Sequence, residues 1–253
     1  MSVSYQRYVA HFDMLGMKHL SRKNPELAWE KLCDLWKAKK ETLGKPIEMT
    51  CNNKIISDRI KTIMFSDTII IYSKCDEKED LLAITCLCIQ LFGDALKRCV
   101  PLRGGIAHGI FRTNIECDLY AGPALVEAHD IGESAQWLGI VVDDVVAERC
   151  MEIPCQSGGK DIIISWQLPL KCGRRLPKNV VNWALSMRDG FSDPPPYSVE
   201  QYYKGFVQTW GAYSTLDENA KKKHQNTVEF VNYCLASEYQ NYLIKDNECT
   251  VTM

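Results

Sequence analysis

The order in which strand-like and helix-like segments alternate between residues 5 and 112 limits the possible folds more than any single motif does. Residues 5–15 (YQRYVAHFDML) are rich in β-formers and stop at Gly16. Pro25 opens an amphipathic helix from Glu26 to about Leu43, with Leu27, Trp29, Leu32, Leu35 and Trp36 as its expected apolar face. Residues 54–73 hold two strand-like runs, KIISDRIKTIMF and TIIIYS, separated by Ser66 and Asp67, which is the pattern of a hairpin with a polar tip. Asp80 is placed to cap a strongly apolar helix over 80–98, which Pro101 ends. Residues 102–112 (LRGGIAHGIFR) read as a strand whose three glycines mark close backbone approach. The resulting β-α-β-β-α-β order predicts an α+β fold, a ferredoxin-like split βαβ sheet with helices packed on one face.

Further pairs follow. Gly122-Pro123 start a helix reaching about Trp137, residues 138–142 read as a strand, Asp143 starts a helix to about Met151, and Asp161–Trp166 form another strand. The character then changes. Residues 168–197 carry Pro169, Pro177 and Pro194-Pro195-Pro196, a linker-like composition, and 198–246 are helical in pattern, with Trp210, Phe230, Tyr233 and Leu235 as packing residues. The expected organisation is a catalytic domain over 1–167, then a proline-containing linker and helical C-terminal extension over 168–253.

The net charge of −2 argues against a general nucleic-acid or membrane-surface binder, which needs a basic excess, but leaves room for one small anionic ligand. No targeting segment is visible and no apolar run approaches the roughly 18–20 residues of a membrane span, so a cytoplasmic protein is expected. The twelve cysteines include no Cys-x-x-Cys pair, so most are expected to be reduced, buried small hydrophobes rather than disulfides or zinc ligands.

Two acids carry the chemistry. Asp13 stands at the carboxyl end of the first strand and Asp67 at the hairpin tip, and a split βαβ sheet puts that strand beside that hairpin. Two carboxylates with room for phosphate oxygens and water suit Mg²⁺ or Mn²⁺. An Asp at a strand end is also a common turn former or helix cap, so it is the joint placement that points to a site.

On four motifs taken in order, the chain resembles the class III nucleotide cyclases. Their metal-binding strand is matched by Asp13-Met14-Leu15-Gly16-Met17, and their Gly-Asp hairpin by Ser66-Asp67. Their next strand, an Arg before a glycine-bounded segment, is matched by Arg103-Gly104-Gly105-Ile106-Ala107-His108-Gly109, and the Gly opening the following helix by Gly122-Pro123-Ala124-Leu125-Val126-Glu127-Ala128. The match covers about residues 5–145. Adenylate and guanylate cyclases place an Asn and, four residues later, an Arg on that last helix, where this chain has Val126 and Asp130. The hairpin Lys that selects adenine is replaced by Ile63, and its partner acid by Leu119 or Tyr120, with Asp118 close by.

With Ser-Asp in the hairpin, altered base readers and no regulatory domain, the chain looks most like the pyrimidine nucleotide cyclases of bacterial Pycsar anti-phage defence. That resemblance implies conversion of UTP or CTP to 3′,5′-cyclic UMP or cyclic CMP and pyrophosphate, with UTP favoured as the commoner substrate of that family. It implies a head-to-tail homodimer and an effector that responds to the cyclic nucleotide. Asp13 and Asp67 would be the catalytic metal ligands for two Mg²⁺ or Mn²⁺ ions, aided by the Met14 backbone carbonyl. The backbone amides of Met14, Leu15, Gly16 and Met17 would face phosphate oxygens, as would Arg103, with Ile63 and Tyr120 beside the base. Arg59 and Lys61 are weaker nucleotide candidates, and His108 reads as a satisfied strand histidine. A catalytically silent cyclase fold that binds nucleotide remains the alternative. The Gly-Gly-acid-acid-Phe hairpin of diguanylate cyclases is absent, and aromatic-basic strand motifs for RNA are lacking.

Overall fold

Strand β1 (Gln6–Met14) lies inside the main sheet and alternates cleanly. Tyr8, Ala10, Phe12 and Met14 enter the large core, and Val9, one residue out of phase with them, belongs to a smaller cluster on the other face. In this computed structural model, residues 5–44, 48–49, 54–55, 57–153, 162–184 and 196–249 are described. After β1 come α1 (Met17–Lys23), α2 (Pro25–Gly44) and a small ribbon of β2 (Glu48–Met49) and β3 (Lys54–Ile55). The hairpin β4 (Ile60–Phe65) and β5 (Thr68–Ser73) follows, then α3 (Lys78–Lys97) and β6 (Leu102–Ile110). Strands β6, β1, β5 and β4 lie side by side in that order, every neighbour antiparallel. This is the strand order of a split βαβ sheet, and the expected α+β architecture is what the chain adopts.

Helices cover both faces rather than one. A ribbon of β7 (Arg112–Asn114) and β8 (Leu119–Ala121) leads into α4 (Pro123–Ser134), which crosses β6 and β1 on the face opposite Phe12. The β6 glycines permit this approach: a Cβ on Gly105 would stand 2.3 Å from the Ala128 carbonyl oxygen and 2.6 Å from Ile131 Cγ1. Strand β9 (Ile140–Val142) pairs in parallel with β6, and α5 (Asp144–Met151) is capped by the Asp143 side chain, which accepts from Val146 N–H.

The proline-rich stretch is not all linker. Strands β10 (Ile163–Pro169) and β11 (Arg175–Val181) form a hairpin that extends the sheet, so the boundary expected at 167 falls within β10. Pro177 is tolerated because β11 pairs with β9 only at Val180↔Val141. Asp161, Pro194 and Pro195 lie outside the described residues. The chain continues through α6 (Val199–Tyr203), α7 (Val207–Trp210) and the long α8 (Glu218–Cys249). Phe230 of α8 packs against Trp137, Trp166 and Trp183 with ring centroids 4.8, 4.9 and 5.6 Å away, so the C-terminal helix shares the sheet's core.

Four local expectations need correcting. On α2 the buried positions are Ala28, Leu35, Ala38 and Thr42, while Trp29 and Trp36 are 65% and 49% exposed; small residues let the helix sit close, and the tryptophans turn outward. Asp80 is not the cap of α3: Glu77 is, and Asp80, three residues on, closes the capping box while buried against Arg59 (Nε–Oδ1 3.0 Å, Nη2–Oδ2 2.7 Å). Tyr233 is exposed rather than packed. Among the described cysteines only Cys88 and Cys234 are buried, whereas Cys75, Cys117 and Cys172 are exposed.

Since α4 is seated on Gly105, Gly105→Ala is expected to cost about 1–3 kcal/mol, as overpacking against backbone does. Gly44→Ala, where a Cβ meets nothing within 4 Å, is the control that should hold or slightly raise stability. Chemical denaturation of both variants checks this, and a neutral Gly105→Ala would show that α4 can move off the sheet freely.

Candidate active site

Register brings the two acids together. Asp13 is opposite Thr68 on β5 and opposite Arg103 on β6, so it sits between both neighbours at the end of β1. Ser66 takes the left-handed conformation (φ 55°) in the β4–β5 turn, and the Asp67 carbonyl accepts a 3.0 Å hydrogen bond from Met14 N–H. That bond ties the hairpin tip to the end of β1. Burial, then the charge of Asp67, pushes the Asp13 carboxyl above its usual range, and Arg103 only partly opposes this. The pair is therefore an under-neutralised patch of negative charge.

Arg103 does not reach outward. Its side chain is 4% exposed, with Nη2 3.7 Å from Asp13 Oδ2 and ion-paired to the Glu133 carboxylate. Nη1 donates to the Glu133 and Ala135 carbonyls at 3.3 and 3.5 Å. Burial pulls its pKa down, against the pull of Glu133 and Asp13. A small, shallow cleft lies here, lined by His11, Asp13, Arg103, His129 and Glu133, with Gly104 and Gly132 at its wall. Burial, then His129 and Arg103, pushes His11 down to about 4, so it is neutral at ordinary pH. Sequence reasoning missed His11, His129 and Glu133. One signal was available: His129 and Glu133 are four apart on α4 and so share a face.

The turn after β1 is only partly free for a ligand. Of the amides expected to face phosphate, Met14 N–H is given to Asp67 and Leu15 N–H to the Pro101 carbonyl at 2.9 Å. Those two are committed inside the fold, which corrects the expectation for them. Gly16 (φ 85°) and Met17 start α1, Met14 is the last β1 residue in register with β6, opposite Leu102, and Trp210 stands where a Gly16 Cβ would be, at 2.8 Å. Trp210 Nε1 donates to the Cys99 carbonyl at 2.8 Å, so the C-terminal segment braces this turn.

Ile63 and Tyr120 lie on one face of the sheet. Both pack on the small cluster of Val9, Tyr72, Phe111 and Ala124, on the α4 side of the sheet. Lys61 is exposed on β4, while Arg59 is taken by Asp80 and Glu77 and is structural. His108 faces Asp76 (3.3 Å), and burial, then Arg149, holds its pKa down, as for a satisfied strand histidine. Val126 and Asp130 are exposed on α4.

Among the described residues no group of three or more His, Cys, Asp or Glu converges as a ready-made metal cage. Two carboxylates fit a hard divalent cation whose other ligands are phosphate oxygens and water, and the charge left over on Asp13 and Asp67 is what such a cation would offset. Neither a family model nor a curated protein matches this chain. Among solved structures it is similar to the catalytic core of a rhodopsin-guanylyl cyclase with converted specificity, in complex with ATPαS. That likeness has 12% identity and a TM-score of 0.47, over 70% of this chain and 94% of that one. It is similar also to a bacterial light-regulated adenylyl cyclase, with 12% identity and a TM-score of 0.49 over 82% of this chain, which spans 58% of that one. Both of those proteins are cyclases. No helix among the described residues is long and apolar enough to cross a membrane.

The raised Asp13 pKa has a stability consequence. An acid whose folded pKa exceeds its unfolded one costs stability when ionised, and the cost vanishes once pH falls below the unfolded value, where both states are protonated. With 36% of the side chain exposed, solvent screening keeps this small. Asp13→Asn is expected to raise Tm by a few degrees at about pH 7 and to leave it unchanged at about pH 3, in metal-free buffer. Calorimetry at the two pH values decides it, and a lower Tm at neutral pH would mean the Asp13 charge is already compensated.

Proposed function

We propose that this chain is a metal-dependent nucleotide cyclase that converts a pyrimidine nucleoside triphosphate, UTP or CTP, to its 3′,5′-cyclic monophosphate and pyrophosphate. The observation that carries the reading is the Asp13–Asp67 pair, fixed by strand register and by the Met14–Asp67 hydrogen bond at one end of the sheet. Asp13 and Asp67 would hold the Mg²⁺ or Mn²⁺, with the Met14 carbonyl as a further oxygen ligand. Bound there, the ions would supply charge neutralisation on the phosphates and a lowered pKa for the ribose 3′-hydroxyl. The O3′–Pα bond forms as the bond from Pα to pyrophosphate breaks, and the hydroxyl proton is released.

The chain's own residues account for orientation. The triphosphate lies at the Asp13 end of β1, near the start of α1 at Gly16 and Met17. The base lies along the sheet towards Ile63 and Tyr120, whose side chains share one cluster. Neither position offers the Lys or acid that reads adenine, which supports a pyrimidine. Lys61 and Phe65 leave the outer hairpin strand exposed, a surface suited to the second subunit of a homodimer. A signalling role in anti-phage defence, through an effector that responds to the product, belongs to the same reading and rests on the sequence resemblance.

A second reading has a specific observation in its favour. Arg103 is committed to Glu133, and α4 carries Val126 and Asp130 where a guanidinium would serve the transition state. This is what a catalytically silent nucleotide-binding fold would show.

Incubation of the purified protein with ATP, GTP, CTP and UTP and Mn²⁺, followed by mass spectrometry, separates the two. The expected result is one cyclic pyrimidine product, reduced at least a hundredfold in Asp13→Ala and in Asp67→Ala, on the order of a lost electrostatic contact to the transition state. A cyclic purine would overturn the base assignment, and no product from any of the four with folded protein would favour the silent fold.

A further inference from the structure

Behind Asp13 runs a line of alternating charges that ends on the far side of the cleft. Arg103 pairs with both Asp13 and Glu133, and Glu133 in turn pairs through its other carboxylate oxygen with Lys171. Lys171 lies in the β10–β11 turn, and that turn is sewn to the end of α4 by backbone. Lys171 N–H donates to the Ser134 carbonyl at 2.9 Å, Gln136 N–H to the Pro169 carbonyl at 2.8 Å, and Ala135 bridges Leu170. Helix α8 holds the same segment, Asn226 Nδ2 donating to the Gln136 carbonyl at 2.6 Å. Glu133 is therefore fixed on both sides, and the Arg103 guanidinium, almost without solvent contact, has little freedom to turn away.

We propose that Glu133 and Lys171 are positioning residues for the cation site: they hold Arg103 against Asp13 and set how strongly the Asp13–Asp67 pair binds a divalent ion. The inference rests on the metal reading of that pair. Its physical basis is charge. Arg103 beside Asp13 weakens cation binding, Glu133 draws off part of the Arg103 charge, and Lys171 draws off part of Glu133. Each link alternates in sign, so the two outer residues act in opposite directions. His129 and His11 line the cleft, and Lys223 of α8 adds a further positive charge near Arg103 and Lys171. None of these replaces the Glu133 carboxylate as a partner for Arg103.

The test is direct Mn²⁺ binding, read as loss of free Mn²⁺ signal in electron paramagnetic resonance titrations of the full chain without nucleotide. Glu133→Gln is expected to weaken binding about fivefold and Lys171→Met to tighten it about twofold, the scale of one charge acting on a divalent ion across several ångströms of partly solvated protein. Lys171 is half-exposed, so its variant should fold even if Glu133→Gln does not, and its tightening alone tests the sign. Two variants shifting the same way, or neither shifting while Asp13→Asn abolishes binding, would overturn the inference and leave the metal reading standing. Binding that survives both Asp13→Asn and Asp67→Asn would overturn the metal reading itself.

Discussion

The antiparallel pairing of β1 with both β5 and β6 is the constraint on which everything else rests. It is a nine-residue strand, and all nine of its residues pair with β6, from Gln6↔Ile110 to Met14↔Leu102. Register of this length is strongly specified, because a one-residue slip would turn Phe12 and Met14 out of the core and Asp13 into it. The same register places Asp13 between Thr68 and Arg103, so the position of the acid follows from burying the apolar side of the strand. The Asp67 carbonyl then needs only one hydrogen bond, from Met14, to bring the second carboxylate to the first.

That arrangement opposes stability locally. Two carboxylates held close, one of them partly buried, repel each other, and Arg103 at 3.7 Å offsets this incompletely because its nearer partner is Glu133. A site whose only task was structural would have a cheaper solution in an amide or hydroxyl at either position. A pair compensated only in part is what the cation of the proposed reading would complete.

Much of this was legible in the sequence because it depends on local pattern. The alternation of residues 5–15, the polar tip between two apolar runs and the Gly-Pro start of α4 each have one natural reading, and together they place Asp13 beside Asp67. What was not legible depends on distant partners. The apolar positions of α2 fit two phases about one residue apart, and the choice that turns Trp29 and Trp36 outward is made by the close seat of Ala28, Leu35 and Ala38. Pro177 looked like a linker residue because nothing local says that β9 meets β11 only near Val180. Arg103, thirty residues from Glu133 and further from Lys171, gave no hint that it was spoken for.

The C-terminal region therefore has a different relation to the site from that of an appendage. Trp210 braces the Gly16 turn from one side, through its bond to the Cys99 carbonyl, and the β10–β11 turn braces Glu133 from the other. Phe230, set among three tryptophans, holds α8 to the same core. Residues that look dispensable in a reading confined to 5–145 thus press on both ends of the short stretch that carries Asp13. Loosening either brace would be felt first where the backbone is already constrained, at the left-handed Gly16 and at the buried guanidinium of Arg103, before the sheet itself was disturbed.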